Sequence, residues 1–355
     1  MGWTDDEPVR KHVRTLQLLA DYKYDHYQRF APGKRFIESL ALWLDQFDQQ
    51  DRTDALDFVL NRLVFFSEAE FSHIVQTAYP DLIVQERMRL VAEEHGLAPH
   101  KVAAISAHPR FKELQLKSLY LGLSDGARTN EFRRGAGGEI GNEQIWQAYE
   151  LGQEKAKDML EALRDSLDKN AYAETPAHFN VVWLVDDFSA SGNTYIRFDH
   201  EKRAYKGKIK KIYSQLHNER LVDPSHYEIY LLLYAATQQA IDHIEYWSER
   251  FSSENGYKPL QVRVLCPIAR TTSVTVTPDP GISRLLANDS YCDQRASDKH
   301  FRVGGTTDVR RGFAGCALPV VLSHNTPNNS VYLLWGPETF DFFGLFPRVS
   351  RHREF

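Results

Sequence analysis

The chain has 355 residues, a formal net charge of -5, 42% hydrophobic and 26% charged residues, a balance that suits one large domain or two ordinary ones in water. No apolar run approaches the roughly 20 residues a membrane-spanning helix needs. The acidic average gives no global footprint for nucleic acid, although a local basic patch fits inside such an average.

The amino terminus, MGWTDDEPVRKHVRTL, has early acids and no apolar signal core, and Met1-Gly2 lacks the hydroxyl residue of a myristoylation signal. Cys266, Cys292 and Cys316 are scattered, with no CxxC spacing, so they read as thiols in a reducing cytoplasm. The 14 histidines show no HExxH or similar spacing, so no protein-bound metal is expected.

From Arg10 to about Leu97 apolar residues recur at helical spacing, as in Leu56, Val59, Leu60, Leu63 and Val64. Pro32-Gly33, Tyr79-Pro80 and Gly96 with Pro99 punctuate this segment, and SEAE at 67–70 reads as a capping box opening a helix. The tyrosine-rich stretch DYKYDHYQRF, 21–30, carries interleaved acids, which favours a helix face packed on the core over a nucleic-acid surface. We therefore expect a helical segment over residues 1–98 and an α/β domain over 99–355.

Beyond Pro99, short apolar runs alternate with helical patterns, the texture of βαβ units and a mainly parallel twisted sheet flanked by helices. Strands are expected at Leu119 to Leu123, Phe179 to Val185, Glu228 to Tyr234, Val262 to Pro267 and Pro319 to Leu322, with helices over Glu143 to Leu167 and Thr237 to Phe251. After the first strand, GLSDGARTNEFRRGAGGEIG, 122–141, holds Arg128, Arg133 and Arg134 among glycines and no lysine. Glycine permits close backbone approach and arginine fits a pyrophosphate bidentately, whereas the plainer reading is a surface excursion.

VVWLVDDFSASGNT, 181–194, is an apolar strand ending in Asp186 and Asp187, followed by small residues. Ligands of open α/β sheets lie outside the carboxyl ends of strands. Small residues there let backbone N–H groups approach an anion, and two carboxylates suit neutral hydroxyls or a Mg²⁺ carried by the ligand. A sugar phosphate satisfies both halves. The plainer reading is a solvated, capped helix start. A Walker-B strand would need an upstream GxxxxGK[ST] loop that the chain lacks, and the acid pair lies too deep in the array for a receiver domain.

That stretch resembles the signature of the type I phosphoribosyltransferases: apolar strand, two acids, four mostly small residues, glycine, a variable position and threonine. Trp183 and Phe188 are bulkier than usual. The resemblance implies that Asp186 and Asp187 hold the ribose 2- and 3-hydroxyls of phosphoribosyl pyrophosphate while Ala190, Ser191, Gly192, Asn193 and Thr194 wrap its 5-phosphate. It further implies that Ser124, Asp125, Gly126 and Ala127 hold pyrophosphate, that Arg128, Arg133 and Arg134 belong in or beside a mobile covering loop, and that Mg²⁺ arrives with the ligand. YEIYLLLYAATQQAIDHI, 227–244, is similar to the unit that follows the phosphate loop in this family.

HNTPNN at 324–329 with the downstream Trp335, taken with the helical front end, resembles bacterial phosphoribosyltransferase-like proteins of conflict and anti-phage loci, some near retron reverse transcriptases. This implies a hood-like carboxyl-terminal extension over the acceptor and a defence-system protein or nucleoprotein partner. A polar turn nucleated by Asn and Pro is the alternative, with His324 a structural hydrogen-bonder. Three functions stay open: a transferase acting on a nitrogenous acceptor, a nucleotide or sugar-phosphate sensor without chemistry, and a toxin-like effector. A homo-oligomer is compatible with each, and a membrane partner with none.

Overall fold

A computed structural model describes residues 7–27, 30, 35–277, 279–297 and 299–348. Nine strands occur among them: β1 Val64–Phe66, β2 Ser118–Gly122, β3 Ile145–Gln147, β4 Val181–Ser189, β5 Arg197–Asp199, β6 Ala204–Lys206, β7 Glu228–Thr237, β8 Leu260–Ile268 and β9 Val320–Leu322. Five form one all-parallel sheet in the order β3-β2-β4-β7-β8, flanked by helices.

Interior strands of a parallel sheet are covered on both faces and read as unbroken apolar runs. β4 and β7 are buried along almost their full length for this reason. Alternation sorts their side chains. Leu121, Leu184, Leu231 and Leu233 share a core with the inner faces of helices Gln153–Lys169, Lys208–Asn218 and Gln238–Asn255. The other set is aromatic: Trp183 stacks on Tyr230 with ring centroids 4.3 Å apart. Arg89 of helix Val84–Glu94 donates to the Tyr230 hydroxyl at 3.1 Å. Glu86 of that helix pairs with Arg89 and with Arg263 of β8.

Two local expectations are corrected. Residues 143–150 are not the start of a long helix. A single turn at Asn142–Gln144 leads into β3, a second turn follows at Ala148–Glu150, and the helix begins only at Gln153. Gln144 anchors this edge by donating to the carbonyls of Gln115 at 2.7 Å and Ser118 at 2.9 Å. Tyr79-Pro80 does not break the chain either. A π-helical turn over Tyr79–Ile83 absorbs the proline's missing N–H and carries helix Glu68–Ala78 into Val84–Glu94. At Ser67 the capping box forms, with Ser67 N–H donating to Glu70 Oε2 at 2.9 Å and Glu70 N–H to Ser67 Oγ at 3.3 Å.

The chain divides into two compact units, residues 72–268 and residues 1–71 with 269–355. The expected boundary near residue 98 falls within the first. In the second, β1 pairs in parallel with β9, Val64 opposite Val320, so the strand expected at Pro319 to Leu322 belongs to this small sheet. Its core is aromatic, and long-range hydrogen bonds tie its two segments together. Trp43 Nε1 donates to the Leu333 carbonyl at 2.9 Å, and the Tyr27 hydroxyl lies 3.0 Å from Thr326 Oγ1. Tyr24 and Tyr27 are buried in this core while Tyr22 is exposed. Pro32-Gly33 lies outside the described residues.

Candidate functional site

Within the five-stranded sheet β2 comes first in the chain, with β3 on one side and β4 on the other. The connection out of β2 therefore runs to one side and that out of β4 to the other, which opens a crevice between the carboxyl ends of β2 and β4, the place where open α/β sheets bind ligands. Both stretches singled out in the sequence lead from these two ends. The sheet register brings them together, with Gly122 of β2 opposite Val185 of β4.

The two acids, expected to play matching roles, have unlike surroundings. Asp186 is 2% exposed, and both its oxygens are engaged. Oδ1 accepts from the Ser124 hydroxyl and from the Asp187 N–H at 3.2 Å. Oδ2 accepts from the Tyr195 hydroxyl at 2.9 Å and the Lys208 ammonium at 3.0 Å. Burial, and then the Asp187 carboxylate, push the Asp186 carboxyl up, against the pull of Lys208 and Ser124. Burial beside Asp186 likewise raises the Tyr195 phenol well above its ordinary value, so Tyr195 stays a donor. Asp186 thus ties the β2 loop, the β4 loop and the helix Lys208–Asn218 into one buried knot.

Asp187 is half-buried. Its Oδ1 accepts from the Phe188 N–H at 2.8 Å, and its Oδ2 lies against Gly126, where any Cβ would collide with the carboxylate. This glycine is what allows the β2 loop to approach the acid. Ser124 precedes a single helical turn at Asp125–Ala127. Ala127 is fully buried and its carbonyl accepts from the Tyr234 hydroxyl of β7 at 2.9 Å.

Arg128 adopts a left-handed conformation, φ 47° and ψ 42°, and its guanidinium pairs with Glu131 at 3.3 Å. A non-glycine residue in that region carries strain, a feature that clusters at ligand sites. The following segment, expected in or beside a mobile covering loop, contains the short helix Thr129–Gly135. Arg133 and Arg134 lie in its last turn, the first half-buried and the second exposed.

Ala190 and Ser191 are buried, Asn193 half-buried and Thr194 exposed. The loop is fastened to helix Gln238–Asn255. Thr237 caps that helix by accepting from the Ala240 N–H at 3.1 Å, and its hydroxyl donates to the Ala190 carbonyl at 2.6 Å. Gly192 has φ +75°, and a Cβ there would meet the Ala240 carbonyl at 3.0 Å and Ile244 at 2.9 Å. Gly192→Ala is expected to cost about 1–3 kcal/mol through the left-handed backbone and this contact, read as a lower urea midpoint; an unchanged midpoint would show that the loop yields freely.

The loop does not run straight into a helix, as the sequence suggested. β5 and β6 form an antiparallel hairpin over residues 197–206, and the helix starts at Lys208. Yet Lys208 N–H donates to the Thr194 carbonyl at 3.3 Å and Ile209 N–H to the Tyr195 carbonyl at 3.0 Å. The hairpin is therefore spliced into what would otherwise be one continuous loop-to-helix passage. Sequence reading passed over Tyr195, Lys208 and Thr237. Tyr195 adjoins the motif, but the hairpin hides Lys208 from any spacing argument.

HNTPNN belongs to the unit formed by residues 1–71 and 269–355, and Thr326 and Asn329 bond within that unit. Thr326 is fully buried and donates to the Phe346 carbonyl at 2.7 Å, and Asn329 donates to the Phe313 carbonyl at 3.1 Å.

A parallel sheet in this order, with an acid pair and a small-residue loop at its switch point, fits a phosphoribosyltransferase-like protein. The model of one such family, PRTase-CE, matches residues 40–348; the chain belongs to this family. The matched span includes residues of both compact units. No curated protein and no solved structure matches the chain. Among the described residues no helix is long and apolar enough to cross a membrane.

Proposed function

We propose that the chain binds phosphoribosyl pyrophosphate, or a related ribose 5-phosphate ligand, and transfers the phosphoribosyl group to a nitrogenous acceptor. The observation that carries this reading is the convergence of Ser124–Ala127 and Asp187–Thr194 at the switch point, with Gly126 against Asp187. In this proposal Asp187 accepts from the ribose hydroxyls and Asp186 positions the loops around it. Residues 190–194 hold the 5-phosphate. The 124–127 turn, with Arg128 swung from Glu131, holds pyrophosphate.

Among the described residues no three His, Cys, Asp or Glu side chains converge on a metal position. Asp187 is a single oxygen donor of the kind Mg²⁺ takes one or two of, the rest being phosphate and water; this donor set suits an ion that arrives on the ligand. Mg²⁺ would supply charge neutralisation to the departing pyrophosphate. The C1–O bond breaks with its electron pair going to pyrophosphate, the acceptor nitrogen's lone pair forms the bond to C1, and the acceptor's proton leaves to solvent. Positioning and charge stabilisation dominate such a step.

The Arg128–Glu131 pair favours a second reading, a sensor that binds the ligand without chemistry. Incubation with phosphoribosyl pyrophosphate, Mg²⁺ and pooled nucleobases separates the two. A transferase releases pyrophosphate only when an acceptor is present, whereas saturable binding with no release establishes the sensor. The resemblance to conflict-locus proteins supports an effector role in anti-phage defence: expression should be toxic, and Asp186→Asn with Asp187→Asn should abolish toxicity. Equal toxicity of the double variant would refute that role.

A further inference from the structure

We propose that the β5–β6 hairpin and the helix start that follows it form a nucleic-acid-binding surface. Residues 197–211 hold seven lysines and arginines against two acids, a net charge of +5 in a chain whose formal net charge is -5. Three of these cations are accounted for inside the fold: Arg197 donates to the Asn193 carbonyl, Lys206 pairs with Asp199, and Lys208 with Asp186. Lys202, Arg203, Lys210 and Lys211 are exposed, and the last three have no ion-pair partner among the described residues.

The helix start sharpens the imbalance. Lys208, Lys210 and Lys211 crowd the first turn of Lys208–Asn218, with no acid there. A helix amino terminus already carries the positive end of the backbone dipole and normally attracts acids. Lysines at that point lower the helix's own stability and concentrate a field that suits a polyanion.

The cations also stand on a fixed support. Phe198 stacks on Trp247 with centroids 5.9 Å apart and planes 9° from parallel, and Tyr205 packs edge-on to Phe251 at 5.2 Å. The nearby acid Glu254 is shared between Arg250 on its own helix and the Tyr205 hydroxyl of the hairpin. Nucleic acid fits better than a lipid surface, because interfacial membrane binding needs apolar side chains beside the cations. None of the exposed large hydrophobic residues falls within 197–211. The surface adjoins the candidate loop through Thr194 and Lys208, yet the inference stands apart from the transfer reading.

The test is fluorescence anisotropy of the full chain with labelled oligothymidylate across a salt series. Wild type should bind with affinity falling as salt rises. The triple variant Arg203→Ser, Lys210→Ser, Lys211→Ser should lower the log–log salt slope by about 2, since each single-strand phosphate contact contributes roughly 0.7. The same variant should bind phosphoribosyl pyrophosphate as wild type does, and Asp187→Asn should leave oligonucleotide binding intact, so failure here is distinguishable from failure of the transfer reading. No salt-dependent binding, an unchanged slope in the triple variant, or binding to phosphatidylserine vesicles without binding to the oligonucleotide would overturn the proposal.

Discussion

Asp187→Asn is expected to weaken phosphoribosyl pyrophosphate binding and turnover roughly 100-fold while costing less stability than Asp186→Ala. The two oxygens of Asp187 face different groups. An asparagine in the same rotamer keeps an oxygen for the Phe188 N–H that Asp187 Oδ1 accepts at 2.8 Å, so that bond survives. It replaces Oδ2, the oxygen against Gly126, with an amide that donates and cannot accept from a ribose hydroxyl. Losing charge-assisted hydrogen bonds worth about 1.5–3 kcal/mol in total yields a drop of one to two orders of magnitude. Titration and pyrophosphate release, beside urea unfolding, check it. Wild-type affinity in the variant would remove Asp187 from the ligand.

Asp186→Ala should fail differently. Removing this carboxylate strands the Ser124 and Tyr195 hydroxyls and the Lys208 ammonium around an empty buried position. Breaking a buried charged pair by deleting one partner costs about 3–5 kcal/mol, and the low end applies because Lys208 is 30% exposed and reaches water. Urea unfolding at neutral pH reads this directly. Asp186→Asn, which keeps an acceptor for two of the donors, should lose less. If alanine at 186 left stability untouched while alanine at 187 lowered it, the assignment of positioning and ligand roles would be reversed.

How far this was legible depends on how local each signal is. β4 and β7 stand out because a strand buried on both faces is apolar throughout, and the acid pair with its small-residue loop is contiguous. β3 is three residues between two single turns, and its Ile145 and Trp146 merge with the pattern of the helix behind them. The inequality of Asp186 and Asp187 is invisible in two identical letters. It arises from Ser124, Tyr195 and Lys208, which only the β2 end and the helix beyond the hairpin deliver. The pairing of β1 with β9 joins distant parts of the chain, and no periodicity announces it; hence the boundary near 98 and the grouping of residues 1–71 with 269–355 differ.

Isothermal titration of the full chain with phosphoribosyl pyrophosphate and Mg²⁺ tests most directly whether the switch-point loops hold a ribose 5-phosphate carrying pyrophosphate. Wild type should bind saturably, the patch variant Arg203→Ser, Lys210→Ser, Lys211→Ser should bind equally, and Asp187→Asn should bind far more weakly. No binding by wild type, or equal binding by Asp187→Asn, would contradict this ligand assignment.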